Sequence, residues 1–288
     1  MKLSVTTYSF SQYIKKGEMT MLDAVDKAAE MGFEGIEFTD LPKEATQEER
    51  LALAGELRRR AAARGLAVVS YTVAARLWQP TEELLRAEIE RVKQAVDVAA
   101  ALGAPVMRHD LVWGLEKSGA GRSFLGMISK IAETVREITA YAAEKGIKTC
   151  SENHGMIAQD SYRMEAVAVA VNHDNYGLLV DMGNFLCVDE DPATAVSRVA
   201  NFAFHVHAKD MEVLPHDTDP QGLIVTRGAA RLRCTAIGHG SVPVERCLKI
   251  LKRAGYDGFV SVEYEGKEDC LWGIAEGLKN LKAYLARI

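Results

Sequence analysis

The chain is short of everything that would mark it as secreted, membrane-bound or nucleic-acid-binding. Its five cysteines (Cys150, Cys187, Cys234, Cys247 and Cys270) are odd in number and show no Cys-x-x-Cys spacing. That argues against a disulfide framework and for the reduced thiols of a cytosolic protein. Cys150 and Cys187 flank acidic residues of interest below, and strand alternation is expected to turn both thiols away from them. The opening MKLSVTTYSF lacks the apolar block of a signal peptide, and no later run approaches transmembrane length. A cytoplasmic protein with no membrane partner is expected. Positive charge is also lacking: 35 Lys and Arg stand against 40 Asp and Glu, a net charge of -5. Such a surface offers no general attraction to a phosphate backbone, so nucleic acid is excluded as a default partner. No linker, low-complexity tract or charge block divides the sequence.

What is present is an ordinary soluble composition, 48% hydrophobic and 26% charged in 288 residues, with a strong rhythm of helix, glycine and strand. The rhythm runs through AEMG-FEGIEF, AAARG-LAVVSYTV, AALG-APVMRHDL, AAEKG-IKTCSENH and KRAGYDG-FVSVEYEG. Gly32, Gly65, Gly103, Gly146 and Gly255 stand where a helix has to stop. Eight strand candidates emerge: Leu3–Phe10, Gly35–Thr39, Ala67–Val73, Pro105–Leu111, Lys148–His154, Gly177–Gly183, Ala203–Asp210 and Gly258–Glu265. Helical spacing lies between nearly all of them, as in Glu82–Ala101 with Leu85, Ile89, Val92, Val96 and Ala99. An open doubly wound sheet would call for a glycine fingerprint after the first strand, and there is none. The expected fold is therefore α/β, a single-domain (β/α)8 TIM barrel over residues 1–288. The longest irregular stretch, Met211–Ser241, is expected to be a functional loop.

Four strand candidates carry a ligand-type residue near their carboxyl end: Glu152 in CSENHG, Asp181 in LLVDMGN, His207 in HVHAKD and Glu263 in VSVEYEG. In a parallel barrel those ends share one mouth, where active sites lie. One such carboxylate is most simply solvated or ion-paired. Four groups of complementary chemistry at consecutive strand ends point to a metal site. Three oxygen donors and one nitrogen suit a hard to borderline divalent cation such as Mn2+, Mg2+ or Co2+. His205 lies two residues before His207 and is expected to be a hydrogen-bonded core histidine. Glu265 shares the face of Glu263, which fits the depth better.

With these motifs the whole chain resembles the xylose isomerase-like barrels, a superfamily of sugar isomerases, epimerases and dehydratases with an apurinic endonuclease branch. The resemblance implies that Glu152, Asp181, His207 and Glu263 hold a divalent metal, Mn2+ foremost, with Mg2+, Co2+ or Zn2+ as alternatives. It completes an H-x-K-D pattern with Lys209 and Asp210, in which the lysine faces substrate, and it matches Gly238-His239-Gly240 to a short glycine turn. It implies a small sugar or polyol substrate, and a homo-oligomer would fit the habit of such barrels to pair through their mouth loops. Met182, Gly183 and Asn184 stand where ketose epimerases often carry a histidine.

The remaining candidates are less constrained. Glu152 and Glu263 are expected to take and return a proton next to a carbonyl, giving an isomerase or epimerase. Expulsion of a β substituent instead gives a lyase, a dehydratase or 3-keto-glycoside deglycosidase, and would call on histidine acids. A non-catalytic barrel subunit and an endonuclease are the remaining alternatives. His109, closing MRHDL, is open to a catalytic or a structural role, and Asp110 should face away from the lumen by alternation. His154, His239, Arg231 and Glu37 are candidate substrate-binding residues, each with a surface or ion-pair alternative. Trp113 either lines a sugar face or caps the helix layer.

Overall fold

The structure is a computed structural model and describes residues 1–42 and 44–288. Its strands are β1 Lys2–Thr6, β2 Gly35–Thr39, β3 Ala67–Val73, β4 Val106–His109, β5 Lys148–Glu152, β6 Tyr176–Asp181, β7 Ala203–Ala208, β8 Asp210–Leu214, β9 Ile224–Val225, β10 Arg231–Thr235 and β11 Phe259–Val262. Its helices are α1 Ser11–Lys16, α2 Met21–Met31, α3 Gln47–Ala63, α4 Glu82–Leu102, α5 Phe124–Glu144, α6 Ser161–Val171, α7 Pro192–Val199, α8 Val244–Arg253 and α9 Cys270–Leu285. Eight parallel strands close in the order β1-β11-β7-β6-β5-β4-β3-β2. This is the expected (β/α)8 barrel in one domain. Among the described residues no helix is long and apolar enough to cross a membrane.

The helices follow from local chemistry. In α4, Thr81 accepts from the Leu84 amide at one end, and Gly103 takes φ 71 at the other, a conformation a side chain would resist. Between them Leu85, Ile89, Val92, Val96 and Ala99 line one buried stripe. The other expected stop glycines also take positive φ. The main core lies between strands and helices, while Val106, Cys150 and Leu179 form a small cluster of their own. Cys150 therefore shares the lumen face of Glu152, two residues on, rather than turning away as expected. All five cysteines are free thiols.

Several strands are shorter than expected. The first stops at Thr6, whose hydroxyl accepts from the Tyr8 amide and starts a 3-10 turn over Thr7–Phe10. The last stops at Val262, so Glu263 stands just past the strand. The larger difference is the stretch after the seventh barrel strand. It is not irregular: β8, β10 and β9 form a three-stranded antiparallel sheet that departs from the barrel at Asp210. Its inner face packs Met211 and Leu232 against Cys187. Arg227 ties it down by donating to the Met156 carbonyl at 2.6 Å and to Asp160 at 2.9 Å. Asp189 accepts from Thr226 and from the Gly228 amide, both at 2.6 Å.

Candidate metal centre and catalytic site

Register brings the expected ligands together. Asp181 on β6 lies opposite His207 on β7, and His207 lies opposite Ser261, two residues before Glu263. His207 Nδ1 stands 3.6 Å from Glu263 Oε1, 3.9 Å from Glu152 Oε1 and 3.9 Å from Asp181 Oδ2. One ligand atom from each of the four residues lies within 4.8 Å of the others. Asp181 and His207 are fully buried, and the Glu263 side chain is 11% exposed.

Two buried atoms in this cluster make no hydrogen bond within the protein: Asp181 Oδ2 and His207 Nδ1. Their sister atoms are fully engaged. Asp181 Oδ1 accepts from the Gly183 and Asn184 amides at 2.7 and 3.0 Å. His207 Nε2 faces Glu37 Oε2 at 2.9 Å. Buried polar atoms are rarely left orphaned, so both aim at a group the protein itself does not supply. The donor set and these two free atoms fit a divalent cation.

Glu37 has a different setting from the expected substrate contact. It is fully buried beneath the cluster, where Oε2 takes His205 Nε2 at 2.7 Å as well as His207 Nε2, and Oε1 accepts from Thr72 at 2.6 Å. A carboxylate on the far nitrogen of a histidine fixes its ring and directs the other nitrogen to the site. His205 is the hydrogen-bonded core histidine expected from its depth.

Two cations flank the cluster. Lys209 Nζ lies 2.8 Å from Glu263 Oε2, 3.2 Å from Glu265 Oε2 and 3.4 Å from Asn184 Oδ1. On the other side Arg108 Nη2 lies 2.5 Å from Glu152 Oε2 and 2.7 Å from Asp110 Oδ1. Asn184 donates to Glu152 at 2.9 Å and so bridges the two halves. Burial pushes the Asp181 carboxyl up to about 7, with the Glu263 and Glu152 charges adding to it. Burial would also raise Glu263, but the Lys209 and His207 charges outweigh it and hold Glu263 well below the usual carboxylate range. Burial would lower His207; Glu37 and Glu263 reverse that and raise it well above its ordinary value.

The fourth strand is phased opposite to expectation. Arg108 and Asp110 face the mouth, while the fully buried His109 sits with its Nδ1 on the Asp110 carbonyl at 3.0 Å and its ring 6.4 Å from that of Tyr176. Burial lowers its pKa to about 4, so it is neutral near pH 7 and stands outside the cluster. His154 does reach the rim. Its Nδ1 is 3.1 Å from Asp110 Oδ1 and its ring meets Trp113 edge-on at 5.2 Å. Burial lowers the His154 pKa, but the Asp110 bond and the Glu152 charge reverse that and raise it. Trp113 also donates to the Ala75 carbonyl at 2.8 Å and borders a cavity of about 570 Å³ between α3 and α4, outside the barrel wall.

His239 and Arg231 lie apart from the cluster. His239 turns to α9, 3.5 Å from Glu276 and edge-on to Trp272. Arg231 donates to the Ala229 carbonyl at 2.7 Å. It shares the outer face of β10 with Arg233, which pairs with Glu212, while Cys234 on the inner face approaches Glu265 at 3.8 Å. Asp210 is a structural anchor: its carboxylate accepts from the Met211, Gly238, Gly240 and Val242 amides at 2.8–3.0 Å and so fixes the Gly238-His239-Gly240 turn. Sequence reasoning missed Arg108, Asn184 and Tyr8. Tyr8 is 39% exposed, and the Glu265 charge with burial lifts its hydroxyl to about 12.

Residues 25–285 match the family model described as a xylose isomerase-like TIM barrel. Among curated proteins, the chain is similar to the inosose dehydratase of Clostridium perfringens, with 26% identity over 137 residues, 47% of this chain and 46% of that protein. The match thus spans about half the length of such relatives. Among solved structures it superposes on the IOLI protein with a bound zinc atom at a TM-score of 0.76, with 17% identity, 100% of this chain and 99% of that one covered. It also superposes on the D-allulose 3-epimerase of Methylomonas sp. at 0.73, with 19% identity and 99% and 98% covered. At those identities the superpositions speak for the fold.

Proposed function

Because the chain belongs to the xylose isomerase-like TIM barrel family, we propose that its mouth is a divalent-metal site acting on the proton next to a carbonyl in a keto sugar or keto polyol. The observation that carries this is the pair of orphaned atoms, Asp181 Oδ2 and His207 Nδ1, set between Glu152 and Glu263. Glu152, Asp181, His207 and Glu263 would hold the cation, and three carboxylates with one imidazole suit a hard to borderline divalent ion such as Mn2+, Mg2+, Co2+ or Zn2+. Bound there, it supplies Lewis acidity to the substrate carbonyl.

The chain's own residues do the rest. Glu37 and His205 hold His207 from below. Glu152 and Glu263 stand on β5 and just after β11, with β6 and β7 between them, so they flank the substrate position. Arg108 pairs with Glu152 and Lys209 with Glu263, so each carboxylate is held in place beside the substrate position as a candidate proton carrier. One removes the proton and the other returns it, which gives an isomerase or epimerase. A lyase is the second reading. It is favoured by His154, which bonds to Asp110 at the rim and has its pKa raised by that bond, placing a proton donor where a hydroxyl could depart, and by the partial likeness to an inosose dehydratase.

The test is incubation of Mn2+-loaded and Mg2+-loaded protein in deuterated water with ketoses, inososes and 3-keto glycosides. After chelation, products are read by proton NMR and mass spectrometry. Deuterium at an α carbon with the skeleton intact supports the first reading. Exchange with loss of water or aglycone supports the second. No exchange with any member overturns both.

A further inference from the structure

The two cations at the mouth are each shared between an inner and an outer carboxylate. Arg108 lies between Glu152, inner, and Asp110, outer. Lys209 lies between Glu263, inner, and Glu265, outer. The inner members belong to the cluster that would hold the cation. The outer members do not: Asp110 lies just past β4 and Glu265 two residues beyond Glu263.

We propose that Asp110 and Glu265 are specificity-determining residues that keep Arg108 and Lys209 neutralised while Glu152 and Glu263 serve the metal and the substrate, so that the site admits uncharged keto polyols and rejects their phosphorylated or carboxylated counterparts. The inference rests on the functional reading above and narrows its substrate class.

The argument is one of charge and of donors. Three carboxylates around a divalent cation leave one negative charge, so an entering anion meets no net attraction. Arg108 and Lys209 would be the natural anion receptors at this depth, as guanidinium and ammonium groups are elsewhere. Without Asp110 and Glu265, transfer of the inner carboxylates to a metal would release both for a phosphate or carboxylate. With them, each keeps a counter-ion. The donors of Lys209 are taken up by Glu263, Glu265 and Asn184. Arg108 also donates to the Val73 carbonyl at 3.4 Å. His154 is bound to the same Asp110 oxygen that Arg108 contacts. The arginines of β10 offer no substitute, since they lie on the face away from Cys234 and Glu265.

The walls suit an uncharged ring or chain. Trp113, 44% exposed, and Tyr8, 39% exposed, are the aromatic groups at the mouth, the first against His154 and the second beside Glu265 and Glu263. Half-exposed aromatic faces receive the apolar face of a sugar while carboxylates take its hydroxyls.

The experiment compares pairs that differ by charge: D-fructose with D-fructose 6-phosphate, and D-ribulose with D-ribulose 5-phosphate. Metal-dependent α-deuterium exchange is measured for wild type, Glu265→Gln and Asp110→Asn. In wild type the uncharged member should exchange with kcat/KM higher by about tenfold or more, because juxtaposed like charges cost several kcal/mol. Each variant frees one cation and should shrink the preference or invert it. A wild-type preference for the phosphorylated member overturns the inference and leaves the enolising site standing. An unchanged preference in both variants overturns the assignment to Asp110 and Glu265. If neither member of these pairs exchanges, the comparison is made on the panel substrate that does and its phosphorylated counterpart; if nothing in the panel exchanges, the functional reading fails and this inference with it.

Discussion

Glu37 shows how much one side chain's surroundings decide. Its Oε2 receives two imidazole N–H groups, and a neutral amide in its place would offer a donor to one of them. The Glu37→Gln substitution then favours the His207 tautomer with the proton on Nδ1, where a ligand lone pair is needed. We expect metal affinity to fall by about 10–100-fold with the fold intact. Calorimetry beside circular dichroism checks it, and wild-type affinity would remove Glu37 from the role. The same cluster sets a pH dependence. A cation has to displace the proton of Asp181, whose pKa lies near 7, and the Nδ1 proton of His207, which is held more tightly. Affinity should therefore rise with pH through about 7 and continue upward, with protons released on binding. Titrations in two buffers of different ionisation enthalpy measure that release, and a pH-independent affinity would contradict it. At this scale the sequence spoke clearly for Glu152, Asp181, His207 and Glu263, because each ligand type follows its own apolar run. It misled at Asp110, expected to face away: alternation fixes which residues share a face, but not which face is the lumen, and β4 is only Val106–His109.

At the scale of elements, the β8-β10-β9 sheet is the part that sequence periodicity hid. Its strands are short, β9 is Ile224–Val225 alone, and β10 alternates over only five residues with no Val or Ile among them. The barrel strands were legible because buried Val and Ile runs are bounded by helix-stop glycines. Strand ends were overdrawn where a side chain captures the next amide, as Thr6 captures Tyr8. The sheet's attachment can be tested. The Asp210→Asn substitution keeps an acceptor oxygen but turns an amide nitrogen toward other N–H groups, leaving buried donors unpaired. The expected loss is about 1–3 kcal/mol, measured as a lower urea midpoint with an unchanged slope. An unaltered midpoint would show that the carboxylate is dispensable.

For the whole molecule, the same site becomes a term in global stability. Carboxylates crowded around unpaired atoms are a liability that a bound cation relieves, so Mn2+ should raise the melting temperature, and by more the further its free concentration exceeds Kd. At about a hundred times Kd the gain approaches roughly 2.7 kcal/mol. The Glu263→Gln variant should lose that response and its turnover while keeping a folded barrel; a full response in the variant would remove Glu263 from the ligand set. The barrel as a whole was legible in the sequence because each unit repeats the same rhythm, and closure follows when β1 pairs with both β2 and β11. There remains the meaning of Asp210. One carboxylate fastens the point where the chain leaves the barrel at β8 to the turn at Gly238–Val242 through which it returns to α8. Everything between those points is a cassette whose ends are already clasped. Where the anchors at Arg227, Thr226 and Leu232 are kept, the rest of it is free to differ in length and composition, so this fold can be given a new roof over the same mouth by exchanging a single segment.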